Sequence, residues 1–303
     1  MTQQSVRPES FWDRVLVVIP TMSGSQAANV MALDEQFSSV GAQVVVVANG
    51  RSALTALDAH RTAVVTLHRN LGFAAAVNRG RESRTADFDW VLLVNDDVAI
   101  TSLEPFEMLA DYASRAAIVT FGPEPSRPIP GVGGTFAALA MIPLGRVRSR
   151  DAIGTPFPLP AGRYTPFSIA AIQRKLWDDL DGLDERFPFM YEDADFARRA
   201  ELTGATRIAV HLPDNVSHSR GVSGRSNVRA VFPTVTWSAF QYLQKWGLKA
   251  PLARLVCTVA LLLRIPLLPF SRVPVREHFL ALISAIGVAV GIRHASLPRF
   301  EDA

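Results

Sequence analysis

The sequence predicts an α/β fold in which a mainly parallel β-sheet is flanked by helices and followed by a helical, amphipathic C-terminal region. Three observations lead there. Four unbroken apolar runs of strand length alternate with helical segments in the first third of the chain, the rhythm of a sheet buried on both faces. A stretch rich in proline and glycine, residues 123–166, interrupts that rhythm. Beyond Val231 the chain turns apolar, with prolines and arginines set among long aliphatic runs.

Taken in order, "VLVVI" (15–19), "VVVVA" (44–48), "AVVTL" (63–67) and "WVLLV" (90–94) read as strands, because continuous β-branched and aliphatic runs suit strands with no solvent face. Between them "SQAANVMALDEQFSSVG" reads as a helix capped by Ser25 and closed at Gly41, and "FAAAVNRGRES" as another. "GVGG" (131–134) reads as a loop or bulge, since no helical pattern clearly starts there. "IQRKLWDDL" is a further helix, and "ADFARRAELTG" is one opened by Asp193 or Asp195. The pattern divides the chain into an N-terminal tail (1–12), a main domain (13–230) and a C-terminal helical region (231–303).

With 303 residues, 49% of them apolar and 19% charged, the chain can bury a sizeable core. Its single cysteine, Cys257, excludes an internal disulfide and a cysteine-rich metal cage. The N-terminus lacks a basic segment followed by an apolar core, so no signal peptide is expected and the protein is expected to stay in the cytoplasm. After Gly204 basic residues far outnumber acidic ones. They are interleaved with aliphatic runs rather than with exposed aromatics along a polar groove, which argues against nucleic acid. The same pattern suits helices lying on the inner membrane surface, with arginines at the lipid phosphates. Packing of these helices on the domain, or on a second copy in a homo-oligomer, is the other expectation.

In an open parallel sheet, ligands collect outside the carboxyl ends of the strands. Those ends read "PTMSGS", "NGRS", "HRNLGF" and "NDDV". Asn95, Asp96 and Asp97 end a buried strand, and two carboxylates there can hold a divalent cation that takes its other ligands from water and substrate phosphates. A second acidic group, Glu192, Asp193 and Asp195, follows the apolar Phe187, Phe189, Met190 and Tyr191. A helix start accounts for one carboxylate there, not for three. In a partly apolar setting a carboxyl pKa rises towards the range useful to a general base; Arg198 and Arg199, one turn on, would damp the rise.

The ordered blocks "VVIPT", "NGRS", "NLGFAAAVNRG", "VNDDV", "GLDERFPFMYEDADFARRAELTG" and "VSHSRGVS" resemble the family 2 glycosyltransferases of the GT-A (Rossmann-like) fold, closest to bacterial rhamnosyltransferase-like enzymes of cell-surface glycan synthesis. The resemblance covers about Val15 to Ser223, and its most specific block is Gly182 to Gly204. It implies an inverting transfer of a sugar, with rhamnose from a dTDP carrier the first choice and a UDP-sugar the other, to a lipid-linked or polymeric glycan acceptor. It implies that Pro20, Thr21 and Asn49 border the nucleoside, and that Asn70, Gly72 and Asn78 line the donor side. Asn95, Asp96 and Asp97 stand at the metal motif for Mg²⁺ or Mn²⁺, with Asp97 and Asn95 as ligands, Asp96 towards the donor, and His218 completing the site. Asp193 is the implied catalytic base with Glu192 in reserve, and Arg220 and Arg225 steady the phosphates. Two positions depart from the family pattern: Ala48 replaces the aspartate that accepts the pyrimidine N–H, and Asn95 replaces the first acidic residue of the metal motif. Both would also suit a catalytically idle nucleotide-sugar or glycan-binding subunit of the same fold, and the basic C-terminal helices would suit a membrane-docking scaffold.

Overall fold

A computed structural model describes residues 10–57, 64–85, 87–112, 114–142, 153–219, 227–271, 273–294 and 297. Its centre is an eight-stranded sheet in the order β3-β2-β1-β4-β10-β6-β11-β8. The strands are β1 Val15–Thr21, β2 Gln43–Asn49, β3 Val64–Leu67, β4 Trp90–Val94, β6 Ile118–Gly122, β8 Phe157–Pro158, β10 Ile169–Gln173 and β11 Arg207–His211. β1 pairs in parallel with β2 and β4, as do β2 with β3 and β6 with β11, while β10 and the edge strand β8 run antiparallel. The four apolar runs are therefore the four strands of one parallel half. Two short ribbons stand off the sheet: β5 Val98–Ile100 with β12 Val216–His218, and β7 Arg127–Pro128 with β9 Arg163–Tyr164.

Because side chains alternate across a strand, β1 feeds two cores. Val15, Val17 and Ile19 meet Val30, Leu33 and Phe37 of α1 (Ala27–Ser39) on one face. Leu16 and Val18 meet Ala74, Ala76 and Val77 of α3 (Phe73–Glu82) and Phe196 of α7 (Glu192–Leu202) on the other. Between these helices fall α2 Arg51–Leu57, α4 Leu109–Tyr112, α5 Val132–Ala140 and α6 Arg174–Asp179. Three longer helices end the chain, α8 Val228–Lys245, α9 Ala250–Arg264 and α10 Val275–Ala289, with a 3-10 turn Ile265–Phe270 before the last.

Several local expectations change. Ser25 does not cap α1; Ser23 caps a short 3-10 turn, Gly24–Gln26, and the helix starts one residue beyond it. "GVGG" is not a loop: Gly131 is the cap and Val132, Gly133 and Gly134 form the first turn of α5. α7 opens at Glu192 rather than at Asp193 or Asp195. The expected boundary at 230/231 falls inside α8, whose Phe232, Ala239 and Tyr242 share one core with Tyr191, Ala194 and Ala197 at the start of α7. The chain does not divide there.

Candidate active site

The strand order places the site. The chain runs outward from β1 through β2 to β3 and then returns to lay β4 on the other side of β1, and a crevice opens outside the carboxyl ends where such an order reverses. At that point lie Pro20 and Thr21 of β1 and the turn Asn95–Asp96–Asp97 after β4. The turn is pinned from behind: Asn29 of α1 donates to the carbonyls of Asp96 and Val98, both at 2.7 Å. In front of it, β12 pairs with β5 so that His218 stands opposite Val98. That register sets His218 Nε2 2.9 Å from Asp97 Oδ1. Glu124 holds the other ring nitrogen at 2.7 Å and itself accepts the Ser168 hydroxyl at 3.0 Å.

Burial lifts the Asp96 carboxyl to about 6, against a Thr21 hydroxyl bond that lowers it; the charge of Asp97 adds to the rise. For His218, burial alone would favour the neutral ring, but its bonds to Asp97 and Glu124 prevail and raise it to about 9. The Asn95 Oδ1 atom is buried with no partner. Among the described residues no three His, Cys, Asp or Glu side chains gather so as to hold an ion by themselves. Two carboxylates and an orphaned amide oxygen beside a histidine nevertheless fit a hard divalent cation that keeps water or phosphate oxygens as its other ligands.

Across the same cavity, α7 presents the second acidic group. Met190 (φ 65°) and Tyr191 (φ 74°) both adopt left-handed backbone, a costly conformation for two adjacent non-glycine residues. It turns Glu192 and Asp193 into the cavity at the first turn of the helix. Asp193 accepts the Ala194 amide at 2.7 Å and lies 3.9 Å from the guanidinium of Arg127, which also covers the Tyr164 ring. Burial raises both carboxyls, Glu192 well above its ordinary range because the charge of Asp193 adds to it. Asp193 is held back by Arg127 and by backbone N–H groups, whereas Glu192 Oε2 is buried and unpartnered. Of the two, Glu192 has its neutral form the more strongly favoured.

Asp195 belongs elsewhere. Fully buried, it accepts Arg199 Nε at 2.7 Å, Lys245 Nζ at 2.7 Å and Trp246 Nε1 at 3.1 Å, and so fastens α7 to the end of α8. Three acids in one helical turn serve two purposes, two facing the cavity and one anchoring the helix that carries them. Arg198 and Arg199 do not damp the cavity carboxyls; one covers Trp246 and the other pairs with Asp195.

The cavity, about 470 Å³, is lined on one side by Pro20, Met22, Asn49, Phe73 and Asn95 to Asp97. Its other side is apolar, built from Phe189, Met190, Val228, Val231, Phe232, Val235 and Val273 around Glu192 and Asp193. Not every expected donor-side residue faces it. Asn49 reaches the lining, but it is wholly buried and its amide is committed: it donates to Asn70 Oδ1 and the Gly72 carbonyl and accepts the Leu71 amide. Asn70 in turn accepts the Gly72 amide, so both asparagines shape the loop. Gly72 is required by its own loop: a Cβ there, at φ 94°, would lie 2.6 Å from the Pro188 carbonyl oxygen, the atom that accepts the Phe73 amide. Asn78 is off the cavity altogether; it holds Leu183 and Glu185 and lines a separate cleft of about 670 Å³ beside Trp177 and Gly182. Arg220 and Arg225 lie outside the described residues.

Glu124, Arg127, Ser168 and the apolar wall from α8 escaped sequence reasoning. Glu124 and Arg127 lie within "GPEPSRP", a segment whose prolines and glycine signal a loop but not which way it folds. The wall of α8 carries a helical spacing, Val228, Val231, Phe232 and Val235, that reads equally as a packing face.

The sequence matches no family model and no curated protein. Similar solved structures include a mannosyltransferase from Pyrobaculum calidifontis in complex with GDP-Man and Mn²⁺, 17% identical over 93% of this chain and 88% of that one, at a TM-score of 0.47. A glucosyl-3-phosphoglycerate synthase from Mycobacterium tuberculosis with Mn²⁺, UDP and phosphoglyceric acid is 16% identical over 78% and 79%, at 0.46. The catalytic domain of Drosophila β1,4-galactosyltransferase 7 with xylobiose is 13% identical over 70% and 72%, at 0.42. These are distant likenesses, and they identify neither a donor nor an acceptor for this chain.

Proposed function

We propose that the chain is a metal-dependent, inverting glycosyltransferase of GT-A type that moves a sugar from a nucleoside diphosphate to a glycan or lipid-linked acceptor. One observation carries this reading. A hard-oxygen group at the β1/β4 switch point and a buried carboxyl pair, with both pKa values raised, face each other across a single cavity. A leaving diphosphate needs the first and an attacking hydroxyl needs the second. Rhamnose from dTDP-rhamnose is the first candidate donor and a UDP-sugar the second, on the sequence resemblance alone.

In this mechanism Asp193, whose charged form Arg127 and the Ala194 amide favour against burial, takes the proton of the acceptor hydroxyl. The acceptor oxygen bonds the anomeric carbon from the face opposite the leaving group, and the bond from that carbon to the diphosphate oxygen breaks, its electron pair leaving with the nucleoside diphosphate. Glu192, whose neutral form burial favours, offers an O–H donor that orients the acceptor. Asp97 and Asn95, with Asp96 beside them and His218 once its Nε2 has given up its proton, would hold Mg²⁺ or Mn²⁺, which when bound stabilises charge on the departing diphosphate as a Lewis acid. Met22 and Phe73 give the nucleoside an apolar seat. With Ala48 in place of an acid and Asn49 committed to its loop, the base is read by backbone groups.

Binding and hydrolysis of UDP-, dTDP- and GDP-sugars, with Mn²⁺, Mg²⁺ or chelator, test this. Asp97→Ala should abolish metal-dependent binding, and Asp193→Asn should keep binding and lose turnover. Failure to bind any nucleotide sugar under any of these conditions would refute the reading.

A further inference from the structure

The second feature of the molecule that asks for a ligand is the outer surface of its last two helices. α9 and the 3-10 turn after it form 21 residues long and apolar enough, by length and composition, to cross a bilayer. An ordinary surface helix buries one apolar stripe and turns a polar face outward. Here Ala253, Cys257, Ala260 and Leu261 enter the core, and the opposite face, Leu255, Val259 and Leu262, is exposed and equally apolar. α10 repeats the pattern: Ala281, Leu282 and Ala285 go inward, Phe279 and Ile283 outward. Phe270, between the two helices, is 82% exposed.

We propose that this face docks on an anionic lipid surface, with the helices lying flat in the headgroup region. The helix does not cross the bilayer, because its inner side is committed to protein. Arg254 donates to the carbonyls of Val288 and Ala289 at the end of α10, and Arg264 to the Leu139 carbonyl at the end of α5 and to His278. Charge selects lipid over a second copy of the chain. Lys249, Arg276 and Arg293 stand exposed at the helix ends, while Glu277, the one acid between Gly247 and His294, faces Arg229 at 3.4 Å. A symmetric partner would bring cation against cation, whereas lipid phosphates complement the rim. The same hairpin supplies Val273 to the wall of the catalytic cavity, so docking sets the apolar side of that cavity next to the membrane. The docking itself does not depend on the proposed reaction.

Flotation of the full-length protein with vesicles of phosphatidylcholine, alone or mixed with phosphatidylglycerol, tests the proposal. The protein should float with the mixed vesicles, less as salt rises, and remain extractable by alkaline carbonate. The variant Leu255→Gln/Leu262→Gln/Phe279→Gln alters only exposed positions and should keep its thermal melt while partitioning about tenfold less or weaker still. Lys249→Glu/Arg276→Glu should remove the preference for the anionic vesicles. Flotation unchanged in the triple variant would overturn the inference. So would resistance to carbonate, or a dimer that binds neither vesicle and that the triple variant converts to a monomer.

Discussion

Arg127 offers the sharpest test of the acidic pair, because its effect has a size and a sign that the geometry fixes. Its guanidinium lies 3.9 Å from Asp193 Oδ2, with 48% of the side chain exposed. Two unit charges at that distance interact by about 1 kcal/mol in water and about 4 kcal/mol at an effective dielectric of 20. Exposure places the pair near the lower figure, and Arg127 holds the Asp193 pKa down against the effect of burial. Burial has already raised that pKa, so the carboxylate is present above its folded pKa and lost as pH falls through it. Replacing Arg127 with alanine removes the restraint, and the acid limb of kcat/KM should move up by about one pH unit. The rate above the limb should hold, since a more basic carboxylate remains a competent base. Arg127→Lys should restore most of the original limb. A pH profile of donor turnover with acceptor in excess reads this directly. Uniform loss at every pH, with the limb unmoved, would refute the electrostatic role and make Arg127 a substrate contact.

Three further outcomes follow from the contacts. Asp195→Ala takes the carboxylate from Arg199 and leaves Lys245 with Asp184 alone, and should cost about 3 kcal/mol, a fall on the order of 10 °C in a thermal melt. Gly72→Ala forces a Cβ onto the Pro188 carbonyl at an unfavourable φ and should cost about 1–3 kcal/mol in urea unfolding. Glu124→Gln loosens the partner that orients His218 and should weaken Mn²⁺ binding by about 10–100-fold, read by electron paramagnetic resonance of the free ion, with the melt unchanged.

How much of this was legible in the sequence depends on which physical signal each residue carries. Strands buried on both faces announce themselves as unbroken apolar runs, and β1 to β4 each lie within two residues of their expected bounds. The acidic turn after β4 was legible for the same reason, since a buried strand must end where polar residues begin. Glycines and asparagines were not. Gly72 and Asn78 look like ligand contacts because small residues near strand ends serve loops and ligands alike, and only three-dimensional proximity, to Pro188 or to Leu183, tells which. Glu124 and Arg127 carry no local signal, since their meaning comes from His218 and Asp193, 94 and 66 positions away in the chain.

The C-terminal helices were legible as apolar, but apolarity does not say which side meets protein. That distinction decides how their role can be tested. Removing residues 231–303 would seem to separate docking from catalysis, yet it strips Lys245 and Trp246 from Asp195, and Tyr242 from the ring of Tyr191. It also uncovers Phe187, Ala194 and Ala197, whose burial depends on α8 to α10. The strained residues Met190 and Tyr191 persist only while their surroundings hold them, and those surroundings are largely the deleted helices. The truncated chain should therefore show no cooperative melt and no nucleotide binding. A fragment 1–230 that melts cooperatively and binds nucleotide like the full chain would mean that the acidic loop holds its own shape and that the helices serve the surface alone.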